Sequence, residues 1–239
     1  MYYVKLRKQS HLSLLIAYYI VSAYLWRKDY NVFTVDWADL SRFPCYLSSF
    51  LFILIRLAAQ CTAQLYSYLT LNGATAKMIT CVGHSLGAHV CGMMSSHLTK
   101  KQYKIIGLDP ARPLVSEFGS SQFRLGRDDA HVVQVVHTNA GFLGESGLIG
   151  HVDFCVNGGR LQPGCKGHFM RVARCSHFMS SCYFAASIRR RVRMIGVPCD
   201  SSCTSGRLPC TGSRLDYGYH NDAYFCLEAA MCKHYCVSV

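Results

Sequence analysis

Residues 83–87 read Gly-His-Ser-Leu-Gly and lie between an apolar strand pattern and a helix pattern. A serine on so tight a turn needs neighbours without side chains, and glycines two positions before and after it provide that room. The turn directs Ser85 towards the start of the next helix, where the N–H of Leu86 and the helix dipole stabilise an oxyanion. The pattern predicts a nucleophilic serine; the alternative is a glycine-rich structural turn.

A nucleophilic serine requires a base, and the base requires an acid that fixes its tautomer. Asp109 ends the next apolar strand, 24 residues after Ser85, where catalytic groups collect in α/β folds. Asp36 also ends an apolar run, but it precedes the serine, which is the wrong chain order. We therefore expect Asp109 to be the acid and Asp36 to be a hydrogen-bonding residue at a strand end.

The base has to be chosen from 11 histidines. His84 and His89 flank the nucleophile and are typical of packing or polar-network residues, whereas His137 and His151 lie on or near predicted strands. His177 follows the acid in the chain and opens a predicted helix. Chain order and placement therefore favour His177 as the base.

Apolar runs of strand and helix type alternate along the chain. This alternation predicts parallel β-α-β units, and so an α/β fold with a mostly parallel central sheet and helices on both faces. The predicted strands are residues 31–36, 78–82, 103–108, 130–137 and 152–156, and the predicted helices are 45–71, 86–98 and 176–190. Beyond Pro198 the chain is cysteine-rich and irregular. We expect residues 26–239 to form a single domain.

Residues 1–25 allow two interpretations. Lys5, Arg7 and Lys8 precede an apolar run at 12–25, as in the charged and hydrophobic regions of a signal peptide. The alternative is an ordinary amphipathic or buried helix. The run of 14 residues is too short and too rich in tyrosine to predict a transmembrane span.

Composition restricts the partners and the compartment. Hydrophobic residues make up 51% and charged residues 16%, which argues against disorder. The net charge of +12 favours anionic partners, and without a zinc-finger, RNA-binding or basic-heptad motif a lipid surface is preferred to nucleic acid. The 14 cysteines indicate disulfides and an oxidising, extracellular location for a secreted protein.

Three short motifs contain the candidate residues. Residues 83–89, 107–113 and 175–177 read Gly-His-Ser-Leu-Gly-Ala-His, Gly-Leu-Asp-Pro-Ala-Arg-Pro and Cys-Ser-His. These motifs resemble those of the animal pancreatic-lipase family, and further segments that match the family occur in its order at 29–32, 35–37, 136–139, 150–154, 157–159 and 162–165. The resemblance implies an α/β-hydrolase fold, cofactor-free hydrolysis of lipid esters, and Ser85, Asp109 and His177 as nucleophile, acid and base.

The resemblance also implies a lid that is pinned between Cys165 and Cys175. Only nine residues, 166–174, lie between these cysteines. So short a lid is similar to that of insect and venom phospholipases A1, whereas triglyceride lipases have longer ones. Basic lid residues are expected to meet phosphate headgroups and apolar ones to enter a membrane or micelle; these residues are Lys166, Phe169, Met170, Arg171 and Arg174. The alternative is a solvated basic loop.

One family feature is missing near the start of the sequence. The family places a His-Gly pair after an early strand, and the residue that follows it supplies a second oxyanion N–H. No such pair occurs before residue 31, so we expect the first strands of the fold to be lacking. Loss of one donor costs on the order of 100- to 1,000-fold in rate. A catalytically impaired lipid-binding or storage protein is therefore the alternative to an enzyme; an intracellular small-ester hydrolase is disfavoured by the cysteines.

Local departures from the family's sequence bear on calcium binding and on the remaining disulfides. The family's calcium loop corresponds to residues 124–129, where Gly126 replaces a carboxylate, so no bound metal is expected. Cysteines at two positions where the family has other residues suggest one disulfide, Cys155 with Cys182. Two further pairs are guesses, because connectivity does not follow from sequence: Cys45 with Cys61, and Cys199 with Cys210.

Overall fold

The computed structural model describes residues 11–36, 48–112, 115, 121–189, 196–198, 203 and 223–227. The helices in this part of the chain are α1 (His11–Arg27), α2 (Ser48–Leu71), α3 (Leu86–Met94) and α4 (Phe169–Ile188). The strands are β1 (Thr80–His84), β2 (Gln102–Leu108), β3 (Ala130–His137), β4 (Val152–Val156), β5 (Gly196–Pro198) and β6 (Ala223–Leu227).

These six strands form one sheet in the order β1-β2-β3-β4-β6-β5. The first five strands in this order, β1, β2, β3, β4 and β6, are parallel to their neighbours. Strand β5, at the edge, runs antiparallel to β6. The carboxyl ends of β1, β2 and β3 are therefore brought together at one edge of the sheet. The predicted α/β fold with a mostly parallel sheet is confirmed.

Helices cover both faces of the sheet. Val133 and Val135 pack in one buried cluster with Ala88 of α3. Val136 points to the opposite face, because successive strand residues alternate, and it packs against a cluster that contains Phe178 of α4. The parallel strands are thus apolar on both sides, as the near-continuous apolar runs in the sequence indicate.

The apolar segment near the start of the chain forms helix α1, which lies against α4. Ala23 is fully buried, and the rings of Tyr19 and Phe178 meet edge-on at 6.1 Å between centroids. Arg189, just after α4, donates a hydrogen bond to the Ser22 hydroxyl at 2.8 Å. None of the helices in the described part of the chain combines the length and apolar character that a membrane span requires.

Three predictions about secondary structure were wrong. Residues 31–36 are extended but join no strand, with Phe33 and Val35 about two-fifths exposed at 41% and 40%. Their β-branched and aromatic residues suit a sheet, but a strand forms only where a neighbouring edge accepts its hydrogen bonds. Strand β6 lies in the region expected to be irregular, and α4 begins at Phe169, seven residues before the predicted start at Ser176.

The disulfides differ from the predicted pairs. Cys165 is joined to Cys175, the pair that the resemblance implied. Cys155 is joined to Cys203, with Cα atoms 5.4 Å apart, so its predicted pairing with Cys182 is wrong, although Cys182 is disulfide-bonded too. A disulfide requires Cα atoms within about 7 Å, and spacing along the chain does not determine that distance.

Two more findings concern the other cysteines. Cys61 is an exposed free thiol on α2, so the predicted pair with Cys45 is wrong; Cys45, Cys199 and Cys210 lie outside the described residues. A disulfide that the sequence did not predict joins Cys81 of β1 to Cys91 of α3. It connects the strand before Ser85 to the helix after it.

Candidate active site

Ser85 lies on a sharp turn between β1 and α3. Its backbone has φ 56° and ψ −122°, a left-handed conformation that is strained for a residue with a side chain. The turn is held by hydrogen bonds from Ser85 N–H to the Leu108 carbonyl, at 3.0 Å, and from Ala88 N–H to the Ser85 carbonyl, at 3.1 Å. Leu86 is the first residue of α3, and an N–H at that position has no acceptor within the helix.

Only one of the two motif glycines is required by its surroundings. A Cβ atom on Gly83 would lie 2.2 Å from the carbonyl oxygen of Gly87, closer than atoms can approach. A Cβ atom on Gly87 would meet nothing within 4 Å. The expectation that both glycines make room for the turn is therefore right for Gly83 and wrong for Gly87.

Asp109 follows β2, and its side chain is completely buried. Its backbone also has a positive φ, of 44°. Its Oδ1 atom accepts hydrogen bonds from the N–H groups of Thr138, at 2.8 Å, and Asn139, at 2.9 Å. These two donors fix the carboxylate so that Oδ2 is directed at a ring nitrogen of His177.

His177 meets Asp109 through its Nδ1 atom, which lies 2.5 Å from Oδ2. Because a carboxylate oxygen accepts, Nδ1 donates this hydrogen bond, and Nε2 is the free basic atom of the tautomer that the bond selects. The side chain of His177 is 13% exposed, which leaves it reachable from solvent. His177 lies inside α4 and does not open it, because the helix starts at Phe169.

His84 is adjacent to Ser85 in the chain and contacts His177, so it connects the two candidate residues. It precedes Ser85, its ring centroid lies 4.6 Å from that of His177, and its Nε2 donates to the His177 carbonyl at 3.0 Å. Burial and, to a smaller degree, repulsion from a protonated His177 together lower the pKa of His84 to about 4. A neutral ring therefore packs against His177. The sequence predicts a packing or polar-network role for His84, and its position at the end of β1, beside the serine, indicates proximity to the site.

The other candidates are placed elsewhere. Asp36 is exposed in the extended segment outside the sheet. His89 bridges the Ala111 carbonyl, at 2.8 Å, and the Leu125 N–H, at 3.0 Å, and His151 accepts the N–H of Val133. The hydrogen bonds of these two histidines connect backbone segments, and none of the three involves Ser85.

The five predicted lipid-contact residues in the segment 166–174 have exposed side chains, whereas Ala173 of the same segment is buried. Phe169 and Met170, in the first turn of α4, are 56% and 46% exposed. Phe169 packs edge-on against Phe142, whose ring also lies beneath the Arg160 guanidinium at 5.0 Å. The basic residues of the lid, also exposed, are Lys166, Arg171 and Arg174. Apolar and basic side chains are thus exposed together in the segment that precedes His177 in the chain.

In the loop at 124–129, the partly buried carboxylate of Asp129 is hydrogen-bonded within the protein. Asp129 accepts hydrogen bonds from the Gly126 N–H, at 2.8 Å, and from the Ser95 hydroxyl, at 3.0 Å. Burial raises the pKa of Asp129. In the described part of the chain, no group of three or more His, Cys, Asp or Glu side chains is arranged to hold a metal ion.

The parallel sheet and the turn that carries Ser85 between β1 and α3 are those of an α/β-hydrolase fold. The model of the family described as Lipase matches residues 15–231, and the chain belongs to this family. It is 38% identical over 168 residues to a phospholipase A1 of Vespula squamosa, which covers 66% of this chain and 55% of the relative. The similarity to animal lipases suggested by the short motifs is confirmed.

Vertebrate relatives are also similar. Lipase member H-A of Xenopus laevis is 34% identical over 185 residues, covering 76% of this chain and 40% of the relative. Lipase member H of Mus musculus is 32% identical over 214 residues, covering 82% and 45%. The chain therefore spans between about two-fifths and just over half of the length of these relatives.

Proposed function

We propose that this protein is a secreted serine ester hydrolase that acts on lipids, either as a phospholipase A1-like enzyme or as a general lipase. The observation that carries the proposal is the contact between His177 and the buried Asp109 beside the strained turn of Ser85. Family membership and relatives named phospholipase A1 and lipase support the reaction class. Three disulfides in the described residues support an oxidising, extracellular location.

The proposed reaction proceeds through an acyl-enzyme. Nε2 of His177 takes the proton of the Ser85 hydroxyl while the serine oxygen attacks the ester carbonyl. The N–H of Leu86 and the start of α3 stabilise the negative oxygen of the tetrahedral intermediate. His177 then protonates the leaving alcohol, and water activated by the same histidine releases the fatty acid. Asp109 stabilises the imidazolium in both steps.

The lid residues support a substrate at a lipid surface. Exposed Phe169 and Met170 provide apolar groups that enter a membrane or micelle, and the neighbouring basic side chains suit phosphate headgroups. A disulfide between Cys165 and Cys175 limits this segment to a short cover. These features favour phospholipid over bulk triglyceride as the substrate.

Fatty-acid release from phosphatidylcholine vesicles tests the proposal. The wild-type protein is expected to release fatty acid, and Ser85→Ala is expected to release none above background. Ser96→Ala is the matched control, because that hydroxyl lies just after α3 and donates a hydrogen bond to the Met93 carbonyl at 2.8 Å, away from Ser85. A fluorophosphonate probe is expected to label Ser85 in the wild type and in the control.

The alternative function gives a different result in the same experiment. A protein that binds or stores lipid without hydrolysis would cosediment with the vesicles, whereas wild type and Ser85→Ala would release equal amounts of fatty acid. Equal release, together with no labelling of Ser85 by the fluorophosphonate, would reject the enzyme and favour the binding protein.

A further inference from the structure

A second histidine–aspartate pair lies buried beside the first. His137 ends β3 and Asp153 lies in β4, and the His137 Nε2 atom is 2.8 Å from Asp153 Oδ1. Neither side chain has any exposed surface. The proposed reaction uses neither residue, although burying two ionisable groups is costly unless they are paired and hydrogen-bonded.

The hydrogen bonds of His137 favour its charged form. Its Nδ1 faces the Glu145 carbonyl at 3.2 Å and its Nε2 faces a carboxylate, so both nitrogens meet acceptors. Burial lowers the pKa of His137, but the hydrogen bond to Asp153 and the charges of Asp153 and Asp109 outweigh it and raise the pKa above its ordinary value. The two acceptors and the raised pKa of His137 therefore favour an imidazolium beside Asp153.

Both members of the pair bind the loop between their strands, residues 138–151. His137 binds the Glu145 carbonyl, and Asp153 accepts the N–H groups of Ile149, at 3.2 Å, and Gly150, at 3.0 Å. The middle and the far end of the loop are thus fastened to one buried ion pair.

The same loop encloses the carboxylate of Asp109. Its first two residues, Thr138 and Asn139, donate the two N–H groups that hold Oδ1. Gly144 passes so close that a Cβ atom there would lie 2.5 Å from Oδ1 and 2.6 Å from Oδ2. The N–H of Glu145 binds the Pro110 carbonyl at 2.7 Å, which ties the loop to the residue after Asp109. The position of the loop therefore determines how Asp109 is oriented.

We propose that His137 and Asp153 are positioning residues that fasten the loop 138–151 and thereby hold the Asp109 carboxylate towards His177. This inference rests on the proposed function, in which Asp109 and His177 serve the reaction. The pair acts through the loop and touches neither substrate nor Ser85. Its loss is expected to loosen the Asp109–His177 hydrogen bond while leaving the lipid-binding surface unchanged.

The substitution Asp153→Asn tests this role, with Asp129→Asn as the matched control. Both exchange a hydrogen-bonded carboxylate for an amide of the same shape, but Asp129 accepts from the Gly126 N–H and the Ser95 hydroxyl, away from the loop. One readout is the ring ¹⁵N chemical shifts of His177, which report its tautomer and hydrogen bonding. The others are kcat and KM on a soluble short-chain ester. For Asp153→Asn we expect altered His177 shifts and a kcat lower on the order of 100-fold, as for a small misplacement of catalytic groups.

A purely structural pair would lower the melting temperature without moving these readouts. A folded Asp153→Asn variant with wild-type kcat and wild-type His177 shifts would overturn the proposal. If that variant does not fold, His137→Gln, which keeps an amide donor for Asp153, is held to the same criteria. If the wild type hydrolyses no ester but Asp153→Asn still shifts the His177 nitrogens and Asp129→Asn does not, the proposed function fails and the positioning role stands.

Discussion

Nδ1 of His177 lies 2.5 Å from Oδ2 of Asp109, a contact that joins helix α4 to the end of strand β2 across 68 residues of chain. The distance is short even for a hydrogen bond to a charged acceptor. Because Oδ1 of the same carboxylate is held by two backbone N–H groups, Asp109 cannot rotate without losing them. Asp109 therefore fixes both the tautomer and the orientation of the His177 ring.

Replacing Asp109 by Asn is expected to lower kcat by on the order of 10,000-fold, with KM nearly unchanged. The backbone donors of Thr138 and Asn139 would keep the amide oxygen in the Oδ1 position and turn the NH₂ group towards His177. His177 would then carry its proton on Nε2, the atom that has to accept the serine proton. Kinetics on a soluble ester measure this effect, with Asp129→Asn as control; a loss below about tenfold would contradict the assigned role.

The two motif glycines are expected to respond differently to alanine. In Gly83→Ala the new methyl group would collide with the Gly87 carbonyl, so a loss of about 3 kcal/mol or more in unfolding free energy is expected. In Gly87→Ala the methyl group enters open space on a helix, where alanine is favoured over glycine by about 0.5–1 kcal/mol. Urea unfolding measures the unfolding free energy of both variants. Equal destabilisation of the two would contradict the predicted collision between a Cβ atom on Gly83 and the Gly87 carbonyl.

Removing the Cys81–Cys91 disulfide by a double substitution with alanine is expected to cost about 2–3 kcal/mol of unfolding free energy. The bond closes a loop of 10 residues that contains Ser85, so its loss frees the two sides of the turn in the unfolded chain. Cys61→Ala is the control, because that thiol is exposed and unbonded. Urea unfolding under non-reducing conditions provides the comparison, and equal midpoints for the two variants would refute the contribution.

Acid is expected to destabilise the protein partly through His84. Burial lowers its pKa in the folded protein to about 4, from an ordinary value of 6.5, so the unfolded chain binds the proton more readily between these values. The stabilising contribution is therefore fully present above pH 6.5 and is lost as the pH falls towards 4. His84→Phe keeps a ring in place without the titration, so its unfolding free energy should fall less steeply over this range. Unfolding measured at several pH values tests this; parallel curves would contradict it.

The lid is expected to act at lipid surfaces and not in chemistry. Replacing Phe169 by Ala should weaken binding to phospholipid vesicles by about tenfold, because an exposed ring no longer enters the lipid. Hydrolysis of a soluble ester should be unchanged. Met78→Ala is the matched control, since this methionine is 79% exposed but precedes β1, away from its carboxyl end. Vesicle cosedimentation of the two variants is compared; equal binding would remove Phe169 from the contact surface.

Charge on the lid is expected to favour anionic lipid. Replacing the basic lid residues Lys166, Arg171 and Arg174 by Gln should reduce binding to vesicles that contain phosphatidylserine, and should also reduce the salt dependence of that binding. Binding to uncharged phosphatidylcholine should change little. Cosedimentation at two ionic strengths measures both effects, and an unaltered salt dependence would indicate that these side chains stay in solvent.

The sequence by itself determined the features that are encoded locally. The alternation of strand-type and helix-type apolar runs specified a mostly parallel sheet, because strands that alternate with helices form parallel β-α-β units. The positions of Ser85 and Asp109 followed as well, since each lies where an apolar strand pattern ends. A role for His177 depended on chain order and resemblance, because no local pattern distinguishes one histidine from the other ten.

The tertiary structure alone decided which distant groups meet. Residues 31–36 have the composition of a strand but pair with no edge, and Cys155 bonds Cys203 where a pairing with Cys182 had been predicted. The contact of His84 with His177 and the buried His137–Asp153 pair were likewise beyond the sequence. Strand pairing, disulfides and buried ion pairs depend on distances of a few ångströms between segments far apart in the chain, and those distances are set only when the whole core packs.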